Sequence, residues 1–143
     1  MIIHGQFYPD ELYYHAAFMV WLRAEPDGVF TLGLTPLARV SAGEILLFAP
    51  KAVGWRIERD RAIGNVETGK IVASVRTPIA GELMAVNSAL ERGAMPINTA
   101  PFDSWLVRIK ASDWAQDQAN VSLGPAAQAA FEDQITQLNL GPE

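Results

Sequence analysis

One stretch of this chain has residue types and spacing that suggest chemistry. From Ile63 to Gly81 it reads I-G-N-V-E-T-G-K-I-V-A-S-V-R-T-P-I-A-G. Two β-branched runs, Ile63–Val66 and Ile71–Val75, flank the break Thr68-Gly69-Lys70. A short gap holding a glycine predicts a hairpin, with the glycine supplying the positive φ of a tight turn. Pro78 and Gly81 close the return strand, because proline cannot donate to a ladder and glycine marks a bend. Lys70 then sits at or beside the tip, in solvent. An exposed lysine ordinarily serves solubility alone, yet Lys70 is the one of three lysines placed between two strands that pair with each other.

A lysine there is a poor nucleophile. Catalytic lysines are desolvated or set beside another cation, and a hairpin tip provides neither. It provides access: a modifying enzyme can surround the amine, and a group attached to it can swing between sites. The hard chemistry then belongs to a cofactor, and the protein presents it.

Other chemistries find no residues. The chain has no cysteine, which excludes disulfides, thiolate catalysis and thiolate-bound metal. His4 and His15 are the two histidines, with Asp10 and Glu11 between them, and their spacing is not that of metal ligands on one element. No nucleophile elbow, P-loop or dinucleotide fingerprint occurs. Eleven basic against sixteen acidic residues, net −5, argue against nucleic acid or an anionic membrane as partner. The longest apolar runs, Ala16–Leu22 and Ile45–Pro50, are too short to span a bilayer. The N-terminus lacks the features of a signal peptide, so a cytoplasmic location is expected.

The segments V-E-T-G-K-I-V-A-S and T-P-I-A-G-E-L resemble the lipoyl-attachment hairpin of the glycine cleavage system H proteins. Val66, Glu67, Lys70, Ser74, Pro78, Gly81 and Glu82 fall in register with it. The resemblance extends over about residues 12 to 114, through Asp27–Thr35, Ala42–Ile45, Val86–Glu91 and Ser104–Lys110. It implies a non-catalytic carrier with covalent lipoate on Lys70 as N6-lipoyllysine, and no metal. It also implies a mainly β fold, the hammerhead or barrel-sandwich hybrid of two antiparallel sheets with short helices. A lipoate ligase or other lipoylation machinery is the implied partner, with dihydrolipoamide dehydrogenase as a possible second. Biotin carriers also resemble this hairpin but have methionine on both sides of the lysine, where this chain has Gly69 and Ile71.

Departures from the H-protein pattern are specific. Phe18-Met19-Val20-Trp21 replaces a His-Glu-Trp, Gly69 precedes the lysine in place of an apolar residue, and Phe102-Asp103-Ser104-Trp105 replaces a Gly-x-Gly-Trp. A second branch is similar at these places: the lipoate-binding proteins of the heterodisulfide-reductase-like sulfur oxidation system. The matches are Phe7–Tyr14, Lys51-Ala52-Val53-Gly54 and Glu67-Thr68-Gly69-Lys70. That resemblance implies an arm carrying sulfur-bound intermediates to an iron–sulfur, heterodisulfide-reductase-like complex. The alternative is an H protein carrying an aminomethyl group. A third reading is an unmodified interaction module with a vestigial hairpin.

Positioning Lys70 falls to many short strands, which predict a sandwich or barrel. At 143 residues the chain is read as one domain. One or two strands are expected in Leu12–Glu25, then a turn at Pro26-Asp27-Gly28 and strands at Val29–Leu34, Glu44–Ala49, Trp55–Glu58, Glu82–Val86 and Trp105–Lys110. Thr35-Pro36 reads as a helix start with threonine capping, and Ser88-x-x-Glu91 as a capping box. Ala94–Pro101 reads as loop. Trp21, Trp55 and Trp105 are expected in the core, and Trp114 over a barrel end. An amphipathic C-terminal helix is expected over about residues 125–140, with Ala127, Phe131, Ile135 and Leu138 on one face.

Overall fold

The computed structural model describes residues 1–142. Among the described residues, twelve strands form three antiparallel sheets. β1 (Ile2–Ile3) and β2 (Gln6–Phe7) make a small N-terminal hairpin. The large sheet holds β3 (Tyr13–His15), β4 (Val20–Ala24), β5 (Val29–Leu34), β7 (Arg56–Ile57), β10 (Gly81–Val86), β11 (Val107–Ala111) and β12 (Ser122–Leu123), ordered β12-β3-β4-β5-β11-β10-β7. The small sheet is β6 (Ile45–Pro50), β8 (Ala62–Thr68) and β9 (Val72–Arg76), ordered β6-β8-β9. The two-sheet, mainly β architecture agrees with the sequence expectation.

Strand alternation explains how one sheet serves two cores. Successive side chains point to opposite faces, so Val20 and Leu22 enter the core shared with the small sheet while Trp21 enters a second core on the far side. Both faces of β4 are covered, which is why Val20–Leu22 is apolar without a break. In β5, Phe30, Leu32 and Leu34 face the shared core, and Gly33 faces Trp21. A Cβ on Gly33 would lie 2.4 Å from the indole, so only glycine lets that ring lie flat against the strand. The Trp21 indole N–H donates to Leu34 O at 3.0 Å, so this buried donor is paired.

The second core is closed by the C-terminal helix α4 (Gln128–Gln137), which a 3₁₀ turn at Gly124–Ala127 leads into. Ala127 and Phe131 are buried, and Phe131 meets the rings of Tyr8 and Tyr14 edge-on at 5.2 and 5.6 Å. The expected apolar face is present, but it fades along the helix: Ile135 is half-buried and Leu138, just past the helix end, is exposed.

Several local expectations are corrected. Trp55 is 53 % exposed, because β7 shrinks to Arg56–Ile57 at the sheet edge and leaves the indole outside both cores. Trp105 precedes β11 and is half-buried. Ala94–Pro101 contains a short helix, α2 (Pro96–Thr99), which proline opens. The turn at Ser88–Leu90 is capped by Asn87, whose Oδ1 accepts from Ala89 N at 3.1 Å, so the capping residue is one earlier than expected. α1 (Pro36–Ala42) starts as expected, yet the Thr35 hydroxyl donates to Met19 O and does not cap the helix. Trp114 packs on Tyr13 and Phe30, with ring centroids at 5.1 and 4.5 Å. No helix is long and apolar enough to cross a membrane among the described residues.

Phe131→Ala removes the anchor of α4 and is expected to cost about 3–5 kcal/mol of stability. Denaturant unfolding monitored by tryptophan fluorescence measures it, and a loss under about 1 kcal/mol would contradict this account of the second core.

Candidate functional site

The hairpin β8–β9 carries the site. Ile63, Val66 and Val75 face the shared core, and Asn65, Glu67 and Ser74 face out. Pairing runs from Ala62↔Arg76 at the base to Glu67↔Val72 below the tip, with an irregularity near Gly64. The base is held by polar contacts. The buried Thr77 hydroxyl donates to Ile79 O at 2.7 Å, and the buried Asp117 carboxylate accepts from Ala80 N at 2.8 Å.

Thr68 makes the tip. Its N–H donates to Ile71 O at 2.9 Å, and its hydroxyl oxygen accepts from both Lys70 N and Ile71 N at 3.1 Å. The side chain of Thr68 thereby satisfies two amides that the ladder leaves over. Gly69, expected to supply a positive φ, does not adopt one. A Cβ on Gly69 would meet nothing within 4 Å, so the tip stands clear of the rest of the chain. The threonine-x-lysine spacing was visible in the sequence; that the threonine and not the glycine shapes the turn was not.

Lys70 is exposed, and no ion pair or side-chain hydrogen bond among the described residues engages its Nζ. Glu67, three positions earlier, is exposed on the outer face of β8 and likewise forms no ion pair there. An unencumbered amine on an anchored tip fits covalent attachment of an acyl group, which requires a second enzyme to enclose the lysine from several sides.

Sequence reasoning missed the groove beside the tip. A cleft of about 350 Å³ begins at Ile71, the residue after Lys70, and runs between β9 and the segment Ala17–Met19. Phe18, Met19, Leu34, Ile45, Val66 and Ala73 give it an apolar wall, and Arg76 is the one charged residue lining it. The Arg76 guanidinium lies 5.5 Å from the Phe18 ring centroid, within cation–π range. Phe18 is fixed in turn by His15, whose ring stacks on it at 3.9 Å and whose Nδ1 accepts from Phe18 N at 3.1 Å. Burial lowers the His15 pKa, with the Asp60 charge opposing, so the neutral ring that can accept is favoured. His4 lies elsewhere, its Nε2 2.9 Å from Gly141 O. No group of three or more metal-ligating side chains occurs among the described residues.

A glycine cleavage H-protein family model matches residues 12–133. The chain belongs to that family. Among relatives, it is 38% identical over 106 residues to glycine cleavage system H protein 5 of Aquifex aeolicus (strain VF5), covering 71% of this chain and 70% of that protein. It is 36% identical over 115 residues to the glycine cleavage system H protein of Edwardsiella ictaluri (strain 93-146), covering 80% and 89%. The crystal structure of a glycine cleavage system H protein from Mycobacterium marinum shares the fold, with a TM-score of 0.69 at 23% identity, over 92% of this chain and 99% of that one. H-protein-family members carry lipoate covalently on a lysine and act as carrier subunits.

Thr68→Val keeps the shape of the side chain and removes the acceptor. It is expected to cost about 1 kcal/mol and to speed hydrogen exchange at the Lys70 and Ile71 amides, which amide-resolved exchange reads. Unchanged exchange at both would contradict the role given to the Thr68 hydroxyl.

Proposed function

We propose that Lys70 is the lipoyl-bearing lysine and that the arm carries an aminomethyl group, as the names of the relatives suggest for theirs. The observation that supports attachment at Lys70 is its free amine on a tip pinned by Thr68, with the apolar groove opening at the next residue. When attached, lipoate supplies a dithiol–disulfide pair that takes up and releases a group. The chain's residues do the rest: β8 and β9 hold the attachment point rigid, and Phe18, Met19, Ile71 and Ala73 offer the hydrocarbon arm an apolar resting place that excludes water. No side chain near the amine lowers the barrier of a bond-making step, so reactions are left to the enzymes that the arm visits.

A second reading keeps the same attachment and gives the arm a sulfur-bound cargo for a heterodisulfide-reductase-like complex. One observation favours it: the lining of the groove includes no carboxylate, and its one charge is the cation of Arg76. An aminomethyl group bears an ammonium at neutral pH and would find no partner there, whereas an anionic sulfur species would. The lead-in Phe7–Tyr14 supports the same reading by resemblance. The relatives reverse the order that resemblance to that branch suggests, because the names they carry are those of glycine cleavage.

Incubation of the lipoylated protein with purified glycine decarboxylase and labelled glycine separates the two. Label is expected on the wild type and absent from Lys70→Arg, whose unfolding free energy should stay within about 0.5 kcal/mol of wild type because the tip is exposed. A lipoylated wild type that remains unlabelled would rule out the aminomethyl cargo and leave the sulfur reading.

A further inference from the structure

The charges of this chain are segregated. Residues 51–76 hold six of its eleven basic residues and three of its sixteen acidic ones, in a protein of net charge −5. The fold gathers four of these cations, Lys51, Arg56, Arg61 and Arg76, around one open depression of about 500 Å³. Glu58 and Asp60 also line it, so the depression carries an excess of two positive charges. No ion pair among the described residues involves any of the four cations, while Asp60 lies 3.6 Å from Arg59. The excess of positive charge in the depression is left to water and counter-ions to neutralise.

Trp55 stands in the same depression, 53 % exposed, with Lys51 Nζ 5.7 Å from its ring centroid. Its partners in sequence expectation were core residues, and nothing in the two cores needs it. An exposed tryptophan sharing a depression with three arginines has the composition of an interface anchor, since tryptophan and arginine are enriched in binding hot spots. The surface is also well placed. Arg76 is six residues from Lys70 along β9, about 20 Å at the rise of an extended strand, and a standard interface of about 800 Å² per partner is roughly 30 Å across. One footprint therefore takes in both the depression and the tip.

We infer that the Lys51–Trp55–Arg56–Arg61–Arg76 surface is a docking site for an acidic face on the enzyme that loads the arm. The inference rests on the aminomethyl reading for the identity of that enzyme, glycine decarboxylase. A carboxylate-rich rim beside the enzyme's entrance would meet the four free cations, with Trp55 as the dehydrated centre. Docking there leaves Lys70 at the edge of the contact, free to extend into the partner. Charge pairing of this kind sets the encounter rate and the register more than the chemistry.

The test is the decarboxylase-catalysed exchange of labelled bicarbonate into glycine, with the lipoylated carrier as varied substrate. Arg56→Glu/Arg61→Glu reverses two exposed charges and should leave thermal stability and Lys70 lipoylation unchanged. It is expected to raise KM for the carrier about 10-fold or more with kcat preserved, and to abolish the rise of wild-type KM with added salt. Arg92→Glu, a cation outside the depression, should leave KM within about 2-fold of wild type. Equal KM and equal salt dependence in wild type and the double variant would overturn the docking site, as would an Arg92→Glu effect of the same size. A lipoylated wild type that supports no exchange would overturn the aminomethyl reading and this partner together, an outcome distinct from an active wild type with an unaffected double variant.

Discussion

The pairing of β8 with β9 over the buried row Ile63, Val66 and Val75 is the constraint on which the candidate site depends. An attachment lysine must be free while the backbone on both sides of it is fixed. Alternation meets both demands in one hairpin: beyond the irregularity near Gly64, inward side chains such as Val66 and Val75 are locked into the shared core while Asn65, Glu67 and Ser74 between them turn outward. A register slip of one residue would put Glu67 and Asn65 into that core, at a cost far above that of any surface contact. The tip inherits its rigidity from this row, and Thr68 completes it by serving the two amides that the ladder cannot reach.

In the proposed function, presentation, storage and recognition fall to different faces of the same hairpin. The tip offers the amine. The face toward Phe18 and Met19 offers an apolar groove, and the base toward Arg56 and Arg61 offers positive charge. Arg76 lines both the groove and the basic depression, so it links the place where an arm could rest to the place where a partner could bind. Its contact with Phe18, which His15 braces, gives that link a defined geometry. The second core, with Trp21 against Gly33 and Phe131 under α4, stiffens the large sheet from behind.

Much of this was legible in the sequence, and the reasons differ by feature. The hairpin, the strand Val29–Leu34 and the helix start at Thr35-Pro36 were readable because alternation and proline act locally. The position of Lys70 at the tip was readable because a three-residue break between β-branched runs leaves little choice of tip. Trp55 was misplaced because an aromatic in a strand-like run is usually buried, and nothing local reveals that β7 is two residues long and lies at a sheet edge. The groove was invisible because its walls come from Ala17–Met19, α1 and β9, which only the tertiary fold brings together. Gly69 was given the turn's conformational role by habit of composition, while a side-chain hydrogen bond from the preceding residue fulfils it.

The central claim is that this chain is a carrier whose attachment point is Lys70, and intact mass with peptide mapping tests it most directly. The protein would be co-produced with a lipoate ligase in medium containing lipoate. The account predicts a single lipoyl increment, located on the peptide containing Lys70, with Lys51 and Lys110 unmodified. An increment on either of those lysines, a biotin increment, or a chain that stays unmodified with active ligase present would contradict it.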